Sequence, residues 1–199
     1  MTAGEQPDED YAVLAVASSA GGINGLTVLL HDLSPEFPVP VLVVQHLDPH
    51  HRTVIAEVLS RRTRLPVKLA EHGVLAQPGT VYVAPPDHHL LVDPGGVLAL
   101  SKSEQVHFLR PCADLLFESV AGTYGARGLV CVLTGTGSDG ARGVDAVKSR
   151  GGTVIAQDPE TAEFKGMPES AVGTGSVDFV LPLEEIAAAV RGLVETKRY

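Results

Sequence analysis

The chain has 199 residues, 44% of them hydrophobic and 20% charged, which fits one globular domain and excludes both global disorder and two domains of ordinary size. A net charge of -9 excludes nucleic acid and anionic lipid as partners, because both call for a basic face. No apolar run reaches about 18 residues, and residues 1–10 are acidic with no basic-then-apolar pattern, so neither membrane insertion nor a secretory signal is expected.

Residues 1–10 read as a disordered acidic leader and residues 11–199 as one domain. Residues 11–17 (YAVLAVA) are a short continuous apolar run, the signature of a strand buried on both faces. A helix is predicted from near Gly21 to the Ser34-Pro35 pair, then a second buried strand over 39–45 and a helix over roughly 50–63. A short strand follows at 66–70. Three small β segments, TVYVAP, HLLVD and VLALS, lie between 79 and 101. Asp93-Pro94-Gly95-Gly96 predicts a hairpin from the last two. Pro111 suits the first position of the next helix, whose core face is Cys112, Leu116 and Val120. A third apolar strand spans 128–134, a helix 139–150 with Gly151 as its stop, and a fourth strand 152–157. An edge strand at 177–180 and an amphipathic helix carrying Leu183, Ile186, Ala187, Val190, Leu193 and Val194 close the chain. Buried strands alternating with helices predict a three-layer α/β/α domain with a mainly parallel sheet and a small β-hairpin; the pattern leaves strand order open. The two cysteines, Cys112 and Cys131, sit in apolar patterns without a CxxC pair, and read as core residues of a reducing compartment, the cytoplasm by default.

Three polar residues stand just past the carboxyl ends of three buried strands: Ser19 in VASSAGG, His46 in VLVVQH and Asp139 in VLTGTGSDG. Ligand sites of open α/β sheets form at such ends. A hydroxyl, an imidazole and a carboxylate meeting there would supply a nucleophile, a base and an orienting acid. Each alone has a plainer reading. Ser19, ahead of Gly21 and Gly22, also fits an N-cap or a phosphate-binding turn; His46 also fits a satisfied buried histidine; Asp139 also fits a helix cap. His50, His51, His88 and His89 lie near loops but form no ligand spacing, so no metal or other cofactor is expected. Gly21 to Gly25 resembles GxGxxG only loosely, and no properly placed acidic partner follows the second strand, which weakens a nucleotide-binding reading.

The chain resembles the catalytic domain of the chemotaxis protein-glutamate methylesterase (CheB) family from about Ala12 to Val190. The resemblance rests on VASSAGGINGL, VLVVQHLDP and VLTGTGSDGARG, with further matches in QPGTVYVAPPDHHLLV, RPCADLLFESVA and AQDPETAEFKGMPESAV. It implies an α/β fold and a serine hydrolase that removes methyl esters from glutamate side chains of a chemoreceptor-like protein, with glutamine deamidation as a companion reaction. It implies Ser19 as nucleophile, His46 as base and Asp139 as orienting acid, passing through an acyl-enzyme. The main-chain N–H groups of Ala20 and Thr136 would form the oxyanion hole. The family commonly has Thr where Ala20 stands, Met where Thr136 stands and Ser where Cys112 stands. It also commonly carries an N-terminal receiver domain, so a receiver or response regulator acting in trans is the regulatory partner it suggests. The competing expectation is a weakly active or inactive regulatory protein that kept the fold.

Overall fold

The computed structural model describes residues 10–47 and 53–196. In chain order the elements are β1 (Val13–Ser18), α1 (Gly22–His31), β2 (Val41–Gln45), α2 (Ile55–Ser60), β3 (Val67–Leu69), β4 (Val81–Val83), β5 (His89–Asp93), β6 (Val97–Ser101), α3 (Ala113–Tyr124), β7 (Gly128–Val132), α4 (Ala141–Ser149), β8 (Thr153–Gln157), α5 (Gly166–Gly173), β9 (Phe179–Leu181) and α6 (Leu183–Glu195). The leader expected at 1–10 lies, apart from Asp10, outside the described residues.

Seven strands form one sheet in the order β3-β4-β2-β1-β7-β8-β9, with every neighbouring pair parallel. β5 and β6 pair antiparallel as a separate hairpin, turned by Gly95 and Gly96 at positive φ. Side chains alternate across the sheet. Val13, Ala15 and Ala17 of β1 pack with the buried faces of α3, α4, α5 and the hairpin. Leu14 and Val16 pack on the other side with α1, α2 and α6. Both faces are covered, which is why the central strands are apolar up to their ends rather than alternating. β1 sits between β2 and β7, so the chain winds outward in opposite directions from it. The carboxyl ends of β1, β2 and β7 meet at this reversal of strand order.

Three expected boundaries shift. α3 starts at Ala113, not Pro111, because an acidic side chain from another loop captures the Ala113 and Asp114 N–H groups and sets the first turn there. α4 starts at Ala141, with Gly140 as N-cap at φ 97°, so Asp139 stands outside the helix expected to contain it. The helix expected over 50–63 covers Ile55–Ser60, and residues 48–52 lie outside the described set. α5 was not anticipated. Its Gly166, Pro168 and Gly173 disguise a helix, yet Pro168 falls in the first turn, where a missing N–H costs little. Among the described residues no helix is long and apolar enough to cross a membrane.

Candidate active site

Ser18 and Gln45 are register partners on β1 and β2, and the His46 N–H extends the ladder to Ser18 O at 3.2 Å. Ser19 and His46 are therefore the next residues on adjacent parallel strands, about 4.8 Å apart at the backbone. The two serines differ in what their hydroxyls do. Ser18 is fully buried and donates to Gln45 Oε1 at 2.7 Å. Ser19 is half-buried, and among the described residues its hydroxyl has no hydrogen-bond partner, His46 included. The Ser19 N–H donates to Thr134 O at 3.0 Å, tying the serine to the end of β7. Gln45 locks this corner from below, its Nε2 donating to Ser19 O at 2.8 Å and to His46 O at 3.1 Å. A Cβ on Gly22 would stand 2.0 Å from Gln45 Oε1 and 2.8 Å from the Ser18 hydroxyl, so only glycine fits beneath that amide.

His46 Nε2 lies 2.7 Å from Asp139 Oδ2, with the imidazole 13% exposed and the carboxylate buried. The carboxylate is saturated by donors. Oδ2 also accepts the Ala113 N–H at 2.7 Å, while Oδ1 accepts the Asp114 N–H at 3.0 Å and the Cys112 thiol at 3.1 Å. Asp139 thus caps the N-terminus of α3, whose own N-cap residue, Cys112, caps nothing. Burial pushes the Asp139 carboxyl up. The hydrogen bonds from His46, Ala113, Cys112 and Asp114 outweigh burial and hold it below the ordinary carboxylate range. The capping is reciprocal: Asp114, in the first turn of α3, accepts the Gly140 N–H at 3.0 Å and the Gly143 N–H at 2.8 Å at the start of α4. Asp139, which locally resembled a cap for its own helix, caps a different one and turns its second lobe to the imidazole.

The N–H groups of Ala20 and Thr136 have no acceptor among the described residues. Ala20 is fixed through its carbonyl, which accepts from Thr134 Oγ1 at 3.1 Å. Gly135 presses on the serine, since a Cβ there would stand 2.8 Å from Ser19 Cβ and 2.3 Å from Met167 Sδ. Thr134 is held in turn by Gln157, whose Oε1 accepts its N–H at 2.9 Å. Gln45, Gln157, Thr134, Asp114 and Cys112 are the site residues that motif reasoning missed. Their signal was a buried polar residue ending an otherwise apolar strand (VLVVQ, TVIAQ) and a cysteine thought to be mere core. Cys112 is instead a donor to Asp139, whereas Cys131 is wholly within the core.

Cys112, Asp114 and Asp139 bring ligand-type atoms within 4.8 Å of one another. Their oxygens already accept N–H groups from two helix starts, whose dipoles favour anions and repel a cation. His89 opens β5, fully buried, while His88 Nδ1 lies 2.9 Å from Pro86 O; His50 and His51 lie outside the described residues. A cavity of about 120 Å³ opens beside His46, bounded by Gln105, Phe108 and Pro111. A larger groove of about 710 Å³, between α2 and β3, contains none of Ser19, His46 and Asp139. The small cavity is the better candidate because, of those three, His46 lines it, although Ser19 and Asp139 do not.

Known proteins share this arrangement of elements. The family model described as CheB methylesterase matches residues 14–190. A relative in Leptospira interrogans is 39% identical over 178 residues, 89% of this chain and 92% of its own length. The protein-glutamate methylesterase FrzG of Myxococcus xanthus is 40% identical over 190 residues, 96% of this chain but 57% of FrzG. The crystal structure of the Thermotoga maritima CheB methylesterase catalytic domain superposes with a TM-score of 0.90 at 38% identity, covering 94% of this chain and all of that one. With fold, sequence and most of its length in agreement, the chain belongs to the CheB methylesterase family, whose members are protein-glutamate methylesterase enzymes.

Proposed function

We propose that this chain hydrolyses the γ-methyl ester of modified glutamate side chains on a helical, chemoreceptor-like protein, with Ser19, His46 and Asp139 as its catalytic triad. The observation that carries the proposal is the His46–Asp139 pair at 2.7 Å, standing one residue past the strand that neighbours Ser19. Because Nε2–H faces the carboxylate, Nδ1 holds the free lone pair and is the basic nitrogen. It takes the Ser19 proton as Oγ attacks the ester carbonyl carbon. The oxyanion is met by the unpaired N–H groups of Ala20 and Thr136. Collapse of the tetrahedral species returns the proton to the methoxy oxygen and releases methanol. Water, deprotonated by the same nitrogen, then hydrolyses the Ser19 ester and frees the glutamate. Catalytic hydrogen bonds often tighten only with substrate, so a Ser19 hydroxyl without a partner among the described residues is compatible with the nucleophile's role.

The Ala20 and Thr136 side chains differ from the family's common residues, but the proposed donors are main-chain groups that these side chains do not supply. The same chemistry on glutamine would release ammonia; a Rhizobium meliloti relative, 39% identical, is named for both activities. Methanol release from a glutamate-methylated chemoreceptor fragment tests the proposal. The wild type is expected to release it and Ser19→Ala to lose on the order of 10³-fold or more in rate. Equal release by the two proteins would remove Ser19 from the mechanism, and no release by either would leave a binding protein that kept the fold.

A further inference from the structure

The loop between β6 and α3 is built more rigidly than a connection requires. Arg110 clamps its base, pairing Nε with Asp87 Oδ1 at 2.9 Å and donating from Nη1 to Ser103 O at 2.9 Å and Lys102 O at 3.3 Å. From below, the buried His89 donates Nε2–H to Glu104 O at 3.1 Å, leaving its Nδ1 without a partner. Above this base the chain makes a two-residue turn: Val106 N–H donates to Leu109 O at 3.1 Å, and Leu109 N–H to Val106 O at 2.9 Å. The residues at the tip are His107 at φ 51° and Phe108 at φ 63°. Both lie in the left-handed region, where Asn-Gly is the usual occupant and a bulky residue is strained. The Phe108 ring is 92% exposed, so among the described residues little packing offsets the strain.

A strained turn that holds an aromatic ring in water has no folding rationale, and strain of this kind collects at functional sites. The ring borders the same cavity as His46. At about 120 Å³ that cavity is far below the roughly 300–1,000 Å³ of sites that enclose a small molecule. It has room for one side chain, so the main chain carrying that side chain must lie across the rim, where Phe108 stands. We propose that residues 106–109 form a substrate-gripping finger, in which Phe108 is the apolar anchor that packs against the ester-bearing helix and delivers its modified glutamate to His46. The partner is a protein helix with an apolar residue beside the methylated glutamate. The inference rests on the methylesterase activity proposed above.

The test is steady-state methanol release from a glutamate-methylated chemoreceptor fragment. Phe108→Ala is expected to lower kcat/KM about 10- to 50-fold, through KM, and Phe108→Tyr to restore most of it. The loss on the protein is expected to exceed the loss on a small soluble glutamate methyl ester by about tenfold. The chain has no tryptophan, so Phe108→Trp introduces a single indole at the tip. In a Ser19→Ala background its emission should shift to the blue when the methylated fragment is added. An unchanged KM in Phe108→Ala, equal losses on protein and small ester, or an unshifted indole would each overturn the finger. So would a dimer that Phe108→Ala dissolves while KM stays the same. A wild-type protein that releases no methanol sinks the activity itself, whereas a wild type and a Phe108→Ala that release it alike sink only the finger.

Discussion

Asp139 is a single carboxylate with two obligations. One oxygen orients the imidazole, and both accept the N–H groups that begin α3. Four donors hold its carboxyl below the ordinary range despite burial, so in the proposed acyl transfer it would balance the imidazolium without taking the proton itself. Cys112 is part of the same shell. Burial, reinforced by the Asp139 charge, pushes its thiol up to about 12, and a thiol that stays protonated keeps donating to the carboxylate. Native Cys112 should therefore resist iodoacetamide at pH 8 and label only after unfolding, as mass spectrometry of the modified peptides would show. Alkylation in the folded protein at the rate of a free thiol would contradict the donor role. The family's common Ser fits the same reading, since a hydroxyl donates in the same direction.

At the scale of elements, the site is held by two helices that cap each other. Asp139 precedes α4 and caps α3; Asp114 lies in α3 and caps α4. Asp114→Ala strands two buried N–H groups and should cost on the order of 2 kcal/mol or more, at about 1–3 kcal/mol for each buried group left unmade. It should also loosen Asp139 and lower kcat. Asp114→Asn keeps an acceptor oxygen and should stay within about 1 kcal/mol of the wild type. The two carboxylates have opposite pH signs. The Asp114 carboxyl is held above the ordinary range, chiefly by burial and further by the Asp139 charge, against the Gly143 hydrogen bond. Its contribution is present below the ordinary aspartate value and lost as pH rises through the raised folded value. Asp139 contributes above the ordinary value and loses that as pH falls through its lowered one. Urea unfolding at pH 4 and pH 7 should accordingly favour Asp114→Asn over the wild type more at pH 7. A difference independent of pH would contradict this assignment.

At the scale of the whole molecule, the layers were legible because the interiors of β1, β2, β7 and β8 are apolar without alternation, a pattern that two-sided burial explains. Ser19, His46 and Asp139 stood out as candidates because polar residues punctuate the ends of those runs. What the sequence did not disclose depends on contacts between distant segments. The start of α3 is fixed by an acid 26 residues further on, α5 hides behind Gly166 and Pro168, and nothing in QVHFLR announces a left-handed turn with an exposed ring. Strand order likewise emerges only when β1 is seen between β2 and β7.

In the proposed mechanism this topology brings three distant segments into one working unit around Ser19. A fluorophosphonate probe with peptide mass mapping tests it most directly. An adduct is expected on Ser19 and none on Ser18, formed on the order of 10³-fold more slowly in Asp139→Asn. An adduct on Ser18, or Ser19 labelling as fast in Asp139→Asn as in the wild type, would contradict it.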